Sequence, residues 1–121
     1  MAREMNTGAG TAAADLPVEI DPAELNRMRK EGADHLVVDV REKWELEVCG
    51  LDGSLHLPLG DLPVRSAELP KDRTLVILCR TGRRSLQATL WLRSQGYPNA
   101  TNLRGGVHQW SDDIDPTMRK Y

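Results

Sequence analysis

The chain has 121 residues, of which 40% are hydrophobic, and its formal net charge is −2. This length suits one domain with its own core, and the slight acidity argues against a general role in binding nucleic acid or membrane surfaces. Two cysteines are too few for a disulfide-rich secreted scaffold, and no apolar run approaches the ~18 residues of a membrane span. We therefore expect a soluble, cytoplasmic protein.

The first 16 residues are predicted to form a flexible tail. They include the small-residue stretch from Thr7 to Ala14 and lack the apolar segment of a secretory signal. The folded domain is predicted to span residues 17–121.

Strand and helix signals alternate in the first half of that domain. A short strand is predicted at 18–20, followed by a helix with Asp21 as its N-cap and Pro22 at its first position. This helix should end near Gly32. Residues 36–40 are apolar without alternation except for Asp39, which predicts a buried strand, and residues 42–48 predict a short helix.

The second half continues the alternation. Pro58 should close a short strand at 54–57, and Pro63 should interrupt the helix predicted within 59–69. Residues 112–121 are polar and predicted to be irregular. The remaining elements are a strand at 74–78, a helix at 84–95, a strand at 101–103 and a final helix that opens at Gly105-Gly106.

Strands separated by helices imply right-handed crossovers, and hence an α/β fold with a mainly parallel sheet covered on both faces. Ligands of such folds bind beyond the carboxyl ends of the strands. Cys79 follows the strand at 74–78, and Asp39 and Arg41 lie at the end of the strand at 36–40. These residues are therefore expected at one edge of the sheet.

The segment from Cys79 to Ser85 is the strongest candidate site, because it joins a buried strand to a helix. The first N–H groups of the helix have no partners within it, and with the helix dipole they favour an anion. Arginines in the turn add to this field, which stabilises a thiolate, the reactive form of cysteine. The plainer alternative is a small buried hydrophobe. The remaining residues of the segment are Arg80, Thr81, Gly82, Arg83 and Arg84.

Other polar candidates are weaker. Asp39 and Arg41 lie two apart and are expected to tie neighbouring loops together by paired hydrogen bonds rather than to react. Cys49 is interpreted as a structural thiol, with a disulfide to Cys79 as the alternative. The histidines His35, His56 and His108 lack metal-ligand spacing, so neither a metal nor a cofactor is predicted.

The tryptophans Trp44, Trp91 and Trp110 occur at helical spacings and are predicted to lie in the core.

The sequence resembles the single-domain rhodaneses, a family of sulfurtransferases. The resemblance spans about residues 18–121, and the loop pattern C-R-x-G-x-R-S is its most specific part. One departure lies at residues 49–54, where C-G-L-D-G-S stands in place of the common G-H-I-P-G-A. The matching pieces, in the order of the family, are Asp39-Val40-Arg41, Gly53 to Pro58, Cys79 to Ser85, and Leu103 to Val107 with Trp110.

The resemblance implies a five-stranded rhodanese-like fold and a persulfide intermediate on Cys79. A small anionic donor such as thiosulfate would supply the sulfur, and cyanide, a cellular thiol or a protein would accept it. Residues 80–85 would hold the persulfide by their N–H groups, and a preformed thiolate would need no general base. Among the arginines, Arg80 and Arg84 are expected to shape the loop, and Arg83 to face the substrate.

Two alternatives remain open. The domain could carry sulfur only within a partner complex, without turnover of its own. It could also be a cysteine phosphatase or arsenate reductase, but phosphatases place an arginine six residues after the cysteine. That position is Ser85 here, and Arg84 gives the shorter C-x4-R loop of the sulfurtransferases.

Overall fold

A five-stranded sheet positions the cysteine. The computed structural model describes residues 16–121, so the tail predicted at 1–16 lies almost wholly outside the described residues. The strand order is β1-β5-β4-β2-β3 and every neighbouring pair is parallel, which confirms the predicted α/β class. The strands are β1 (Glu19–Ile20), β2 (His35–Asp39), β3 (Leu55–His56), β4 (Thr74–Leu78) and β5 (Ala100–Leu103).

The helices begin close to where the sequence predicts them. The Asp21 carboxylate accepts a hydrogen bond from the N–H of Glu24 at 2.9 Å, and Gly32 ends the first helix with φ +69°. The prediction for Pro63 was wrong: it lies in the first turn of a helix, where no N–H is needed. The helices are α1 (Pro22–Glu31), α2 (Lys43–Leu46), α3 (Leu62–Arg65), α4 (Arg83–Ser94) and α5 (Gly106–Asp113).

Both faces of the sheet are buried, as predicted. Leu75 and Ile77 of β4 pack in one cluster with Ala88 and Leu92 of α4. The alternate residues Val76 and Leu78 pack on the other face, in a cluster that includes Leu25 of α1 and Val107 of α5. From Leu75 to Leu78 the strand is therefore apolar at every position, because each face has its own core.

The prediction that Trp44 lies in the core was wrong. Its side chain is 60% exposed, whereas Trp110 is buried and Trp91 packs in part against the core. Helix α2 has only one turn, and the buried residue of that turn is Glu45. The apolar face that Trp44 and Val48 would form on a longer helix therefore does not exist.

The carboxyl-terminal segment is more ordered than its polarity suggests. Helix α5 continues to Asp113, and the hydroxyl of Ser111 then donates to the carbonyl of Met118 at 2.9 Å. Met118 and Tyr121 pack in part against the core. This segment thereby brings Tyr121 to the carboxyl edge of the sheet. Among residues 16–121, no helix has the length and apolar character needed to cross a membrane.

Candidate active site

Cys79 lies directly after β4, at the carboxyl edge of the sheet, and is only 1% exposed. Its Sγ atom accepts hydrogen bonds from the N–H of Gly82 at 3.1 Å and the N–H of Ser85 at 3.3 Å. The hydroxyl of Ser85 donates to the same sulfur at 3.2 Å. Three donors thus converge on one atom, and such donors stabilise negative charge on sulfur.

The start of α4 supplies these donors. Gly82 is the N-cap residue and has φ +95°, a conformation that side chains other than that of glycine rarely adopt. The N–H groups of the first helical turn have no acceptor within the helix, and Ser85 directs its own to the sulfur. The positive end of the α4 dipole therefore lies beside Cys79.

The start of α5 holds the same loop by hydrogen bonds to its carbonyl groups. The N–H of Val107 donates to the carbonyl of Cys79, and the N–H of His108 to the carbonyl of Arg80, both at 2.9 Å. A Cβ atom on Gly106 would lie 2.4 Å from the first of these carbonyl oxygens, so only glycine permits this approach. The loop carbonyls are thereby tied to α5.

A buried ion pair stands beside the loop. Arg41 donates to Asp39 through Nη2 at 2.8 Å and to the carbonyl of Cys49 at 2.8 Å, and neither charged side chain is exposed. Burial alone would lower the pKa of Arg41, but hydrogen bonds to Asp39 and Tyr121 outweigh it and raise that pKa. The pair joins the end of β2 to the segment at Cys49.

Arg84 turns into the protein and pairs with Glu45. Its Nη1 and Nη2 atoms donate to the two carboxylate oxygens at 2.7 and 2.8 Å. Glu45 also accepts from the N–H of Glu42 at 2.8 Å. The hydrogen bonds from Arg84 outweigh burial and lower the pKa of Glu45 to about 2. The pair fastens the cysteine loop to α2.

Sequence reasoning missed both Glu45 and Tyr121. The Tyr121 hydroxyl donates to Glu45 at 2.7 Å and accepts from Nη1 of Arg41 at 2.9 Å. The E-x-x-E spacing from Glu42 to Glu45 is a capping-box signal and could have marked the start of α2. No local pattern pairs Glu45 with Arg84 or with Tyr121.

The other two arginines of the loop point outward. Arg80 and Arg83 are exposed, as is Thr81, and no carboxylate within residues 16–121 lies at ion-pair distance from either arginine. The guanidinium of Arg80 lies over the ring of Tyr121, 4.9 Å from its centroid. In the same part of the chain, no group of three or more His, Cys, Asp or Glu residues could hold a metal ion.

Comparison with known proteins identifies the family of the whole domain. The family model for the rhodanese-like domain matches residues 21–113. The chain belongs to this family. Its rhodanese-like domain is 42% identical over 93 residues to a sulfurtransferase of Allochromatium vinosum, an alignment that covers 77% of this chain and 87% of the relative.

Two further relatives show the range of the family. The chain is 34% identical over 104 residues to a probable adenylyltransferase/sulfurtransferase, MoeZ, of Mycobacterium tuberculosis, covering 84% of this chain but only 26% of that protein. The solved structure of the human single-domain sulfurtransferase TSTD1 aligns with a TM-score of 0.68 at 29% identity, covering 81% of this chain and 98% of the human one. The aligned region thus covers nearly all of the human protein and about a quarter of the mycobacterial one.

Proposed function

We propose that this rhodanese-like protein is a sulfurtransferase that carries a sulfane sulfur as a persulfide on Cys79. The observation that carries the proposal is the convergence of three hydrogen-bond donors on the Cys79 sulfur. The similarity to a sulfurtransferase of Allochromatium vinosum supports the same class of reaction.

The first step would take sulfur from an anionic donor such as thiosulfate. The Cys79 thiolate attacks the outer sulfur of thiosulfate, a new S–S bond forms, and sulfite leaves with the electron pair of the broken bond. The product, Cys79–S–S⁻, carries its charge on the outer sulfur. No proton moves in this step, so it requires no general base.

The second step would return the enzyme to its thiolate. A nucleophilic acceptor attacks the outer sulfur, and the Cys79 thiolate leaves. Cyanide would become thiocyanate, and a thiolate on a small molecule or a protein would become a persulfide. A reducing compartment such as the cytoplasm supplies such thiols. Neither step calls for a metal, a cofactor, nucleic acid or a membrane.

The loop residues would divide this work. Backbone and hydroxyl groups of Gly82 and Ser85 hold the sulfur, and the exposed Arg83 faces the donor. Arg84 acts through its pair with Glu45 and keeps the loop in place. Thr81 lies at the exposed turn, and the buried pair of Asp39 and Arg41 supports the neighbouring segment. We propose 17–121 as the extent of the domain.

Replacement of Cys79 by serine tests the proposal. Wild-type protein incubated with thiosulfate should gain the mass of one sulfur atom and should form thiocyanate from cyanide, whereas Cys79→Ser should do neither while unfolding at an unchanged temperature. Cys49→Ser is the matched control and should keep both activities. Full turnover by the Cys79→Ser protein would refute the mechanism.

The alternatives give different results in the same experiments. In a domain that carries sulfur only within a partner complex, the Cys79 thiol would remain unmodified with every small donor. It would gain sulfur only from a protein persulfide. A phosphatase would hydrolyse an aryl phosphate and lose that activity with Cys79. The position of Ser85, whose hydroxyl bonds the sulfur where phosphatases have an arginine, favours sulfur transfer over phosphate hydrolysis.

A further inference from the structure

Tyr121 meets three charged residues at the carboxyl edge of the sheet. Its hydroxyl donates a hydrogen bond to Glu45 and accepts one from Arg41. The guanidinium of Arg80 lies over its ring, 4.9 Å from the ring centroid. The edge of its ring also contacts Trp44, with a centroid separation of 5.7 Å. Tyr121 is therefore held at both its polar end and its aromatic body.

The anchor at the polar end is rigid. Glu45 is almost wholly buried and is fixed by Arg84, and Arg41 is wholly buried and is fixed by Asp39. Burial raises the pKa of Tyr121, with Glu45 acting in the same direction and Arg41 against it. The phenol therefore stays protonated and donates to Glu45, which fixes the direction of the ring.

Arg80 differs from the other arginines at this edge in how it is held. Arg41 and Arg84 are neutralised by carboxylates, whereas Arg80 and Arg83 are exposed and pair with no carboxylate within residues 16–121. The guanidinium of Arg80 also lies over the ring of Tyr121. An aromatic ring attracts a guanidinium without neutralising it. Stacking on Tyr121 thus restricts Arg80 while its full charge remains available to an anion.

From this geometry we infer that Tyr121 is a positioning residue that holds the guanidinium of Arg80 at the carboxyl edge of the sheet, where it binds the anionic sulfur donor. The inference rests on the proposed function and adds a specificity element to it. Arg80 belongs to the cysteine loop and is exposed, so it takes a donor-binding role beside Arg83 in place of the loop-shaping role expected from the sequence. The effect should therefore be confined to donor binding and to the loading step.

Rates of Cys79 loading test the inference. At donor concentrations below saturation, Tyr121→Ala should slow loading by thiosulfate about three- to tenfold, the range expected when a cation–π contact is lost. Arg80→Ala should slow it at least as much, and the double variant should be no slower than Arg80→Ala alone. Tyr121→Phe keeps the ring but loses the hydrogen bonds of the hydroxyl, so its loading rate should fall between those of the wild type and Tyr121→Ala.

Two further readouts separate positioning from a merely structural role. The loss should be larger for thiosulfate, a dianion, than for a thiosulfonate, a monoanion. Transfer from preloaded persulfide to cyanide should be unchanged within about twofold, because Arg80 is assigned to the donor.

The chain offers a matched control at the far end of α4. Lys71 lies 4.8 Å from the ring centroid of Tyr97, whose hydroxyl bonds the carbonyl of Ser66. Lys71→Ala and Tyr97→Phe make the same kinds of change away from the cysteine loop. Both should leave the loading rate unchanged.

Independent, multiplicative effects of Tyr121→Ala and Arg80→Ala would overturn the inference, as would equal losses for the dianion and the monoanion. Calorimetric titration of the Cys79→Ser protein with thiosulfate separates this inference from the proposed function. If wild-type protein never loads but that titration shows binding weakened by Tyr121→Ala, the proposed function fails and the positioning role stands. If wild-type protein loads and Tyr121→Ala loads equally fast, only the positioning role fails.

Discussion

At the scale of single residues, Glu45 does the most to connect the cysteine loop to its surroundings. Its carboxylate accepts from Arg84 on α4, from the backbone of Glu42 and from Tyr121, so three segments meet at one side chain. A buried carboxylate is stable only when its oxygens are paired in this way. Because the partners lower its pKa, the charged form of Glu45 contributes to the stability of the fold.

The acid dependence of stability should report this contribution. The pKa of Glu45 is about 2 in the folded protein against 4.5 for a free side chain, so its contribution is complete above about pH 4.5 and is lost as the pH falls towards 2. That difference corresponds to about 3 kcal/mol. Glu45→Gln should therefore lower the free energy of unfolding by about this amount at pH 7 and by almost nothing at pH 2. Urea unfolding at a series of pH values measures both.

Glu68→Gln is the matched control, because Glu68 pairs with Arg65 at 3.1 Å in an exposed position. Its effect on unfolding should be far smaller at pH 7, since exposed pairs contribute little. A loss for Glu45→Gln that stays constant from pH 7 to pH 2 would contradict the assignment.

At the scale of elements, two helix starts share the work at the cysteine loop. At the start of α4 an N–H group donates a hydrogen bond to the sulfur of Cys79. At the start of α5, N–H groups donate hydrogen bonds to the carbonyls of Cys79 and Arg80. The second arrangement requires α5 to approach the loop backbone closely, which Gly106 permits. The loop is thereby held from its carbonyl side, and its N–H groups remain available to an anion.

Addition of a methyl group at Gly106 should disrupt this packing. In Gly106→Ala the Cβ atom would lie 2.4 Å from the carbonyl oxygen of Cys79 and 2.5 Å from that of Arg80, so the loop backbone must move. We expect a loading rate at least about tenfold lower, because small displacements of reacting groups slow reactions strongly. Unfolding in urea should show a loss of about 2 kcal/mol or more.

Gly53→Ala separates the collision from backbone strain. Gly53 also has a positive φ, +83°, but no atom lies within 4 Å of the position of its Cβ. This variant should lose about 1 kcal/mol of stability and keep the wild-type loading rate. Equal loading rates for the two variants would show that the approach of α5 does not matter to the site.

At the scale of the whole molecule, the sheet is strongest in its middle. Strand β4 lies between β2 and β5, whereas the edge strands β1 and β3 have two residues each. The cysteine therefore follows the strand with neighbours on both sides. A loop that begins on such a strand is held firmly at one end.

Hydrogen exchange should show this gradient. The amides of Val40 and Leu75 donate to the carbonyls of Leu78 and Asn99 in the middle of the sheet, at 2.9 and 2.8 Å. Two other amides join the edge strands to the sheet: that of Leu57, after β3, donates to the carbonyl of Asp39 at 2.9 Å, and that of Asn102 donates to the carbonyl of Val18, before β1, at 2.7 Å. We expect the first two to exchange only on global unfolding and the other two through local opening, with correspondingly lower protection. Equal protection of all four amides would contradict this expectation.

The sequence by itself determined the features that depend on neighbours along the chain. Strand-to-helix alternation predicted the parallel sheet, and the capping residues Asp21 and Gly32 marked the limits of α1. The turn from Cys79 to Ser85, with Gly82 at its bend, could be predicted because a buried strand, a glycine and the start of a helix follow one another directly. These signals are local, and local conformational preferences are sufficient to produce them.

Only the tertiary structure decided how distant residues meet. Glu45 and Arg84 are 39 residues apart, and Tyr121 lies 76 residues from Glu45, so no periodicity marks their contacts. The same limit explains the error at Trp44, because its exposure depends on how long α2 is and on what covers it. The cysteine could be found from the sequence, since its loop is continuous. The residues that hold this loop in place could not be found in the same way, since packing and buried charge pairing bring them together from separate parts of the chain.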